Sequence, residues 1–137
     1  MRSSSALATA SNPWRSLLAV FLARLFAVTG ARRFLVGAQG YFAVNQACGE
    51  AVYCGTGSCK TGWAAATLFR LTGREEYRYS TRRAAAAVLA EQLENGSWQS
   101  PDRSATLNCD ATGELGYHLV QYCTELAAYE GGRDAAD

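Results

Sequence analysis

Gln92-Leu93-Glu94-Asn95-Gly96-Ser97-Trp98 separates two runs of helical spacing and has the form Gln-x-x-x-Gly-x-Trp. Asn95-Gly96 stops a helix and turns the chain, because glycine meets no steric penalty at positive φ. Gln92 falls on the last turn of the preceding helix, where its amide is expected to reach the open backbone groups at the start of a neighbouring helix. Trp98 is expected to fold its ring back over that junction. Taken alone, the segment says that a helix ends and an aromatic packs.

It gains meaning from an internal repeat. Leu25-Phe26-Ala27-Val28-Thr29-Gly30 matches Leu68-Phe69-Arg70-Leu71-Thr72-Gly73. A basic, aromatic helix start follows each block, at Arg32-Arg33-Phe34 and at 74–77. Each copy then runs to a Gln and a Gly, Gln46-Ala47-Cys48-Gly49 in the first and Gln92 to Gly96 in the second. One unit therefore reads helix, Thr-Gly turn, helix, Gln/Gly loop. It occurs nearly twice, and the opening helix of a third unit follows.

Outward from the repeat, apolar residues at helical spacing mark about five helices. The first is expected over 13–29, started by Ser11-Asn12-Pro13 and stopped by Gly30, with Leu17, Leu18, Phe21, Leu22, Leu25 and Val28 as its apolar positions. The second covers 32–47, with Phe34, Leu35, Ala38, Tyr41 and Phe42 on one side. The third covers 60–72 and has an Ala-rich face. The fourth covers 74–94, with Tyr77, Thr81, Ala84, Ala85, Val88, Leu89 and Gln92 as the buried stripe and Arg78, Arg82, Arg83 and Glu91 solvated. The fifth covers 110–129, with Ala111, Leu115, Leu119, Tyr122 and Leu126 in register. Residues 48–59 and 95–109 read as loops. No segment alternates with period two, so the expected fold is all-α, built of antiparallel helical hairpins. The expected organisation is a disordered N-terminus over 1–11, one helical-hairpin domain over 12–130, and a flexible polar tail over 131–137.

With 137 residues, 49% of them apolar, the chain has material for one packed core. A net charge of +1 makes no case for nucleic acid, and none is expected as a partner. Arg2, Arg15, Arg24, Arg32 and Arg33 all precede the first acid, Glu50. That acid-free start has the composition of an organelle transit peptide, whereas the repeat makes 17–28 part of the first helix of the fold. The apolar run there is interrupted by Arg24 and is too short to span a bilayer. A cytoplasmic location is expected, with organelle targeting as the alternative. Cys48, Cys54, Cys59, Cys109 and Cys123 form neither an even framework nor a Cys-x-x-Cys pair, so reduced thiols are the default. Gly55-Thr56-Gly57-Ser58 before Lys60-Thr61 has the composition of a phosphate loop, but the spacing is wrong and no strand precedes it.

Candidate chemistry gathers on the fifth helix. Asp110, Glu114 and His118 follow i, i+4, i+8 and share a face that Gln121 and Glu125 continue. The face either lines a cavity, with a carboxylate as general acid or base beside His118, or is the solvated side of an amphipathic helix. Glu114-x-x-x-His118 has metal-ligand spacing, but two ligands do not make a site, and neither a metal nor a cofactor is expected.

The helix pair from Gly62-Trp63 through Leu71-Thr72-Gly73, Tyr77 and Gln92 to Trp98, followed by Asp110-Ala111-Thr112-Gly113-Glu114-Leu115, resembles the unit of the terpenoid cyclase and protein prenyltransferase superfamily. The likeness covers residues 20–129. Similar patterns occur in carbohydrate-active (α/α) barrels such as sugar epimerases and unsaturated-glycoside hydrolases, which stand as an alternative. The resemblance implies inner and outer helices alternating around a cavity, with helices three and five inner and two and four outer. It sets Cys59-Lys60-Thr61-Gly62 and Cys109-Asp110-Ala111-Thr112-Gly113 at equivalent inner ends. Lys60 would then pair with Asp110, and Cys59 with Cys109 in an oxidising compartment. For a complete toroid it implies binding or cyclisation of a small apolar molecule. Asp110 is then the first choice as acid or base, Glu114 the second and His118 the orienting group, with Lys60, Trp63 and Tyr117 at the substrate. Trp63, Trp98, Tyr117 and Tyr122 are the aromatics available for cation–π contact.

The chain departs from the family in three ways. It has neither Asp-x-Asp-Asp nor Asp-Asp-x-x-Asp, and Cys109, Asp110 and His118 offer the residue types of the prenyltransferase zinc site at separations that do not match. About five helices also cannot close a ring. The expected architecture is therefore an incomplete (α/α) toroid with an exposed apolar flank, completed by copies of itself as a homo-oligomer or by a missing toroid half. The third reading is a non-catalytic helical interaction module, which exposes the apolar stripe of helix one or helix five.

Overall fold

A computed structural model describes residues 13–55, 57–99 and 105–134. Among them the protein is all-α, with five helices in chain order: α1 (Pro13–Thr29), α2 (Arg32–Gln46), α3 (Gly57–Thr72), α4 (Glu75–Ala90) and α5 (Ala105–Asp134), plus a short 3-10 helix at Gly49–Tyr53. The expected disordered segment 1–11 and the Ser11-Asn12 cap lie outside the described residues.

The two Thr-Gly turns are the same structure twice. Thr29 Oγ1 donates to Leu25 O at 2.7 Å and accepts from Ala31 N at 3.2 Å. Thr72 Oγ1 donates to Leu68 O at 2.7 Å and accepts from Arg74 N at 3.3 Å. Gly30 and Gly73 sit at φ 68° and 66° and give their amides to Phe26 O and Phe69 O. The hydroxyl thus occupies a carbonyl at the helix end, and the glycine supplies the left-handed residue that reverses the chain. With so short a connection, α1 and α2 pack antiparallel, as do α3 and α4.

The hairpins stack in two rows. α1, α3 and α5 pack side by side, α2 backs α1, and α4 backs α3. Central α3 therefore meets neighbours on all sides, and Ala64, Ala65, Ala66, Thr67, Leu68 and Phe69 are buried in succession. Its small residues let the surrounding helices approach closely. Gly62 marks the tightest point, where a Cβ would collide with the Tyr122 ring and approach Ala84 Cβ to 2.8 Å. Polar ties also cross this core. Asn45 Nδ2 donates to Ser16 Oγ at 3.0 Å and to Thr61 Oγ1 at 3.2 Å, joining α2, α1 and α3. Glu125 of α5, 3% exposed, takes Arg24 of α1 at 3.4 Å and Arg70 of α3 at 2.9 Å.

Several boundaries and faces differ from expectation. On α1 the buried side is Ser16, Ala19, Val20 and Ala23, while Leu18, Phe21 and Val28 lie 42%, 59% and 86% exposed. Small residues set the close α1–α2–α3 approach and turn the larger ones outward. On α2, Tyr41 is likewise exposed beside buried Ala38 and Phe42. α4 ends at Ala90 rather than 94, because Gln92 and Trp98 form an isolated bridge that closes the loop, with Leu93 N on Ser97 O at 2.8 Å. Leu89 is consequently exposed rather than part of the stripe. α3 starts at Gly57, not 60, so the Gly- and Lys-containing stretch is its first turn. α5 runs from Ala105, inside the expected loop, to Asp134, inside the expected flexible tail. No helix among the described residues is long and apolar enough to cross a membrane.

Gln92 does not reach a neighbouring helix: its Nε2 donates to Gly96 O at 2.8 Å inside its own loop. Trp98 does fold back. Its ring is buried against Cys59, Val88 and Leu115, and its Nε1 donates to Val88 O at 2.7 Å. The backbone N–H of Trp98 donates to Thr112 Oγ1 at 3.0 Å, which fastens the loop to α5.

Candidate functional site

Five of the six residues singled out in the sequence meet at the seam between α3 and α5. Lys60 Nζ stands 2.6 Å from Glu114 Oε1, and His118 Nε2 stands 3.9 Å from the same oxygen. Trp63 lies against the imidazole with ring centres 5.0 Å apart, and Tyr117 approaches it at 5.5 Å. Trp63 and Tyr117 make a T-shaped pair at 6.4 Å, and the Arg24 guanidinium lies over Trp63 at 5.5 Å. The i, i+4 spacing on α5 puts Glu114 and His118 on one side. On α3, Lys60 and Trp63 occupy consecutive turns facing them.

Asp110 is the exception. It is exposed, and the expected Lys60–Asp110 pair is replaced by Lys60–Glu114. The reason is register. Lys60 pairs with Glu114 and Arg70 with Glu125, so residue 110 falls level with chain that precedes the start of α3 at Gly57. Matching Cys59-Lys60 to Cys109-Asp110 by sequence misplaces α5 by about one turn. The same shift removes the expected Cys59–Cys109 pairing: Cys59 is buried, Cys109 is exposed, and no disulfide joins the described cysteines. The face is not simply solvated either, since His118 and Glu125 are buried.

Burial sets the protonation states at the seam. It pushes the Cys59 thiol up to about 12, with the Glu114 carboxylate adding to the effect. Burial also lowers the His118 imidazole below its ordinary value, which Glu114 partly opposes, so the ring is neutral at neutral pH. His118 Nδ1 is buried and makes no hydrogen bond. Tyr122, its hydroxyl pushed up by burial, donates to the Cys59 carbonyl and braces the start of α3. Cys59 is the member that sequence reasoning missed. It lies far from Glu114 and His118 along the chain, and only the α3–α5 packing joins them.

A second surface lies between α4 and α5. A groove of about 330 Å³ is lined by Ala85, Leu89, Leu119, Tyr122, Cys123 and Leu126, together with Thr81 and Arg82. α1 and α3 are each backed by the helix that follows them, and this groove occupies the corresponding place on α5.

No protein-family model, no curated protein and no solved structure matches the chain. The class that fold and site define is an all-α protein of helical hairpins with a polar seam at α3–α5 and an apolar groove at α4–α5.

Proposed function

We propose that this chain is an assembly module whose copies join head to tail, an α1 ridge of one copy seating in the α4–α5 groove of the next. The supporting observation is that one chain carries both halves of such a contact. Leu18, Phe21, Leu25 and Val28 follow the 3-4-3 spacing of a helix-packing seam on the side of α1 turned away from the core. The groove offers Ala85, Leu89, Leu119 and Leu126 where the repeat would place a backing helix. Ridge and groove lie on different helices, so the contact is heterologous and yields a closed ring or an open chain of copies. Continued around a ring, the α1–α3–α5 row would become the inner wall of an (α/α) toroid.

Light scattering across a dilution series tests this. The wild-type chain should associate with rising concentration. Phe21→Glu and Leu89→Glu change exposed residues and should each give a folded monomer. An equimolar mixture of the two should give a one-to-one dimer, because one retains the groove and the other the ridge. A wild type that stays monomeric, or a mixture that does, overturns the proposal.

A second reading is supported by the convergence at the seam. In a completed toroid Glu114, His118, Lys60, Trp63 and Tyr117 would bind or cyclise a small apolar molecule, as the terpenoid-cyclase-like resemblance implies. Glu114 takes the acid or base role there in place of Asp110. Turnover of polyprenoid substrates by the assembled protein, lost in Glu114→Gln, would support it; an assembled protein without such turnover would not.

A further inference from the structure

We propose that Cys59, Glu114 and His118 bind a zinc-class divalent metal ion across the α3–α5 seam. The inference is independent of association between copies. One ligand atom from each of the three residues lies within 4.8 Å of the other two. Small side-chain rotations would bring such a trio to the spacing of a tetrahedral shell. The residues come from two helices held in register by Arg70–Glu125 and by the Tyr122 hydroxyl on the Cys59 carbonyl, so the trio is fixed by packing and not by a loop.

A second observation points the same way. His118 is 5% exposed, its Nδ1 has no hydrogen-bond partner, and its Nε2 lies beyond hydrogen-bond distance from Glu114. A buried imidazole this poorly satisfied costs free energy, and proteins rarely leave one so without a reason. The Trp63 and Tyr117 rings both pack against the imidazole. A buried, unpartnered ring nitrogen beside a thiol and a carboxylate leaves His118 a donor atom that a metal ion could satisfy.

The donor set selects the ion. Sulfur, imidazole nitrogen and one carboxylate suit zinc or cobalt, whereas magnesium and calcium take oxygen shells. Three protein ligands leave one tetrahedral position for water or an exchangeable ligand, as in zinc sites that do chemistry. Loading forms a metal–sulfur bond as the Cys59 S–H proton passes to solvent. Lys60 now neutralises Glu114, so the ion displaces the ammonium, which is part-exposed and can turn to water. Lys60 is thus a built-in competitor for the site.

Cobalt(II) titration of the chelator-treated full chain, followed by zinc(II) displacement, tests the site. We expect one equivalent of cobalt per chain, a thiolate-to-cobalt charge-transfer band and the intense visible bands of tetrahedral cobalt. Cys59→Ser should abolish the charge-transfer band, and His118→Ala or Glu114→Gln should weaken binding about tenfold or more. Cys54→Ser and Cys109→Ser, at exposed thiols, should leave the spectrum unchanged. Lys60→Met should bind cobalt several-fold more tightly, a gain that misfolding cannot produce. The site is overturned by a folded wild type that shows no charge-transfer band. It is equally overturned by a band that survives Cys59→Ser and disappears with an exposed cysteine, or by Lys60→Met binding no tighter than wild type.

Discussion

His118 shows how one side chain joins the chemistry of the seam to the stability of the fold. It is enclosed by Trp63 and Tyr117, with Glu114 as the nearest carboxylate, Lys60 as the nearest cation and the protonated Cys59 thiol alongside. Burial lowers its folded-state pKa below the ordinary 6.5. The unfolded chain therefore takes up a proton at a pH where the folded chain still resists it. The stability from the neutral ring is present above about 6.5 and is lost as pH falls from there through the lowered folded-state value. In chelator, the urea midpoint should drop between pH 7.5 and pH 5.5, and His118→Gln should flatten that drop. An equally steep drop in His118→Gln would assign the pH dependence to the carboxylates.

At the scale of elements, glycine does two unlike jobs in this chain. Gly30 and Gly73 reverse it at positive φ, whereas Gly62 leaves room for neighbouring helices. A methyl group at 62 would meet the Tyr122 ring and Ala84, both fixed in the core. Gly62→Ala should lower stability by about 2 kcal/mol, overpacking outweighing the roughly 1 kcal/mol gain in helix propensity. Gly113→Ala is the matched control. It lies exposed on α5 with nothing within 4 Å of an added Cβ, so the same change should stabilise by up to about 1 kcal/mol. Urea unfolding of the pair separates the two effects, and equal outcomes would remove the close-packing argument.

At the scale of the whole molecule, Glu125 of α5 ties α1 and α3 to its own helix through Arg24 and Arg70. Its two arginines are about half exposed while it is buried, so the pair is not symmetric. Arg70→Ala leaves a buried carboxylate with only the longer Arg24 contact and should cost about 3 kcal/mol. Glu125→Gln leaves guanidinium groups that water can reach and should cost only about 1 kcal/mol. In the double variant Arg70→Ala/Glu125→Gln the penalty should fall below that of Arg70→Ala alone. Thermal unfolding of the three proteins checks the order, and a double variant less stable than Arg70→Ala would contradict it.

The sequence by itself determined the local structure. Apolar periodicity, the paired Thr-Gly turns and Gly96 mark an all-α chain of hairpins, and α1 matches its expected bounds because Pro13 and Gly30 punctuate it. It also marked Asp110, Glu114 and His118 as one face of a helix, since i, i+4 spacing survives any packing, whereas Lys60, Trp63 and Tyr117 were singled out through the resemblance. What it could not supply was the offset between helices distant along the chain. That offset puts Glu114 rather than Asp110 opposite Lys60 and buries Glu125 between two arginines, while the close approach of helices on small residues turns the large side chains of α1 outward. It also brings Cys59 to His118. Such choices are made by side-chain volume and charge at the helix contacts, where a shift of one turn costs nothing in local propensity and changes every partner across the seam.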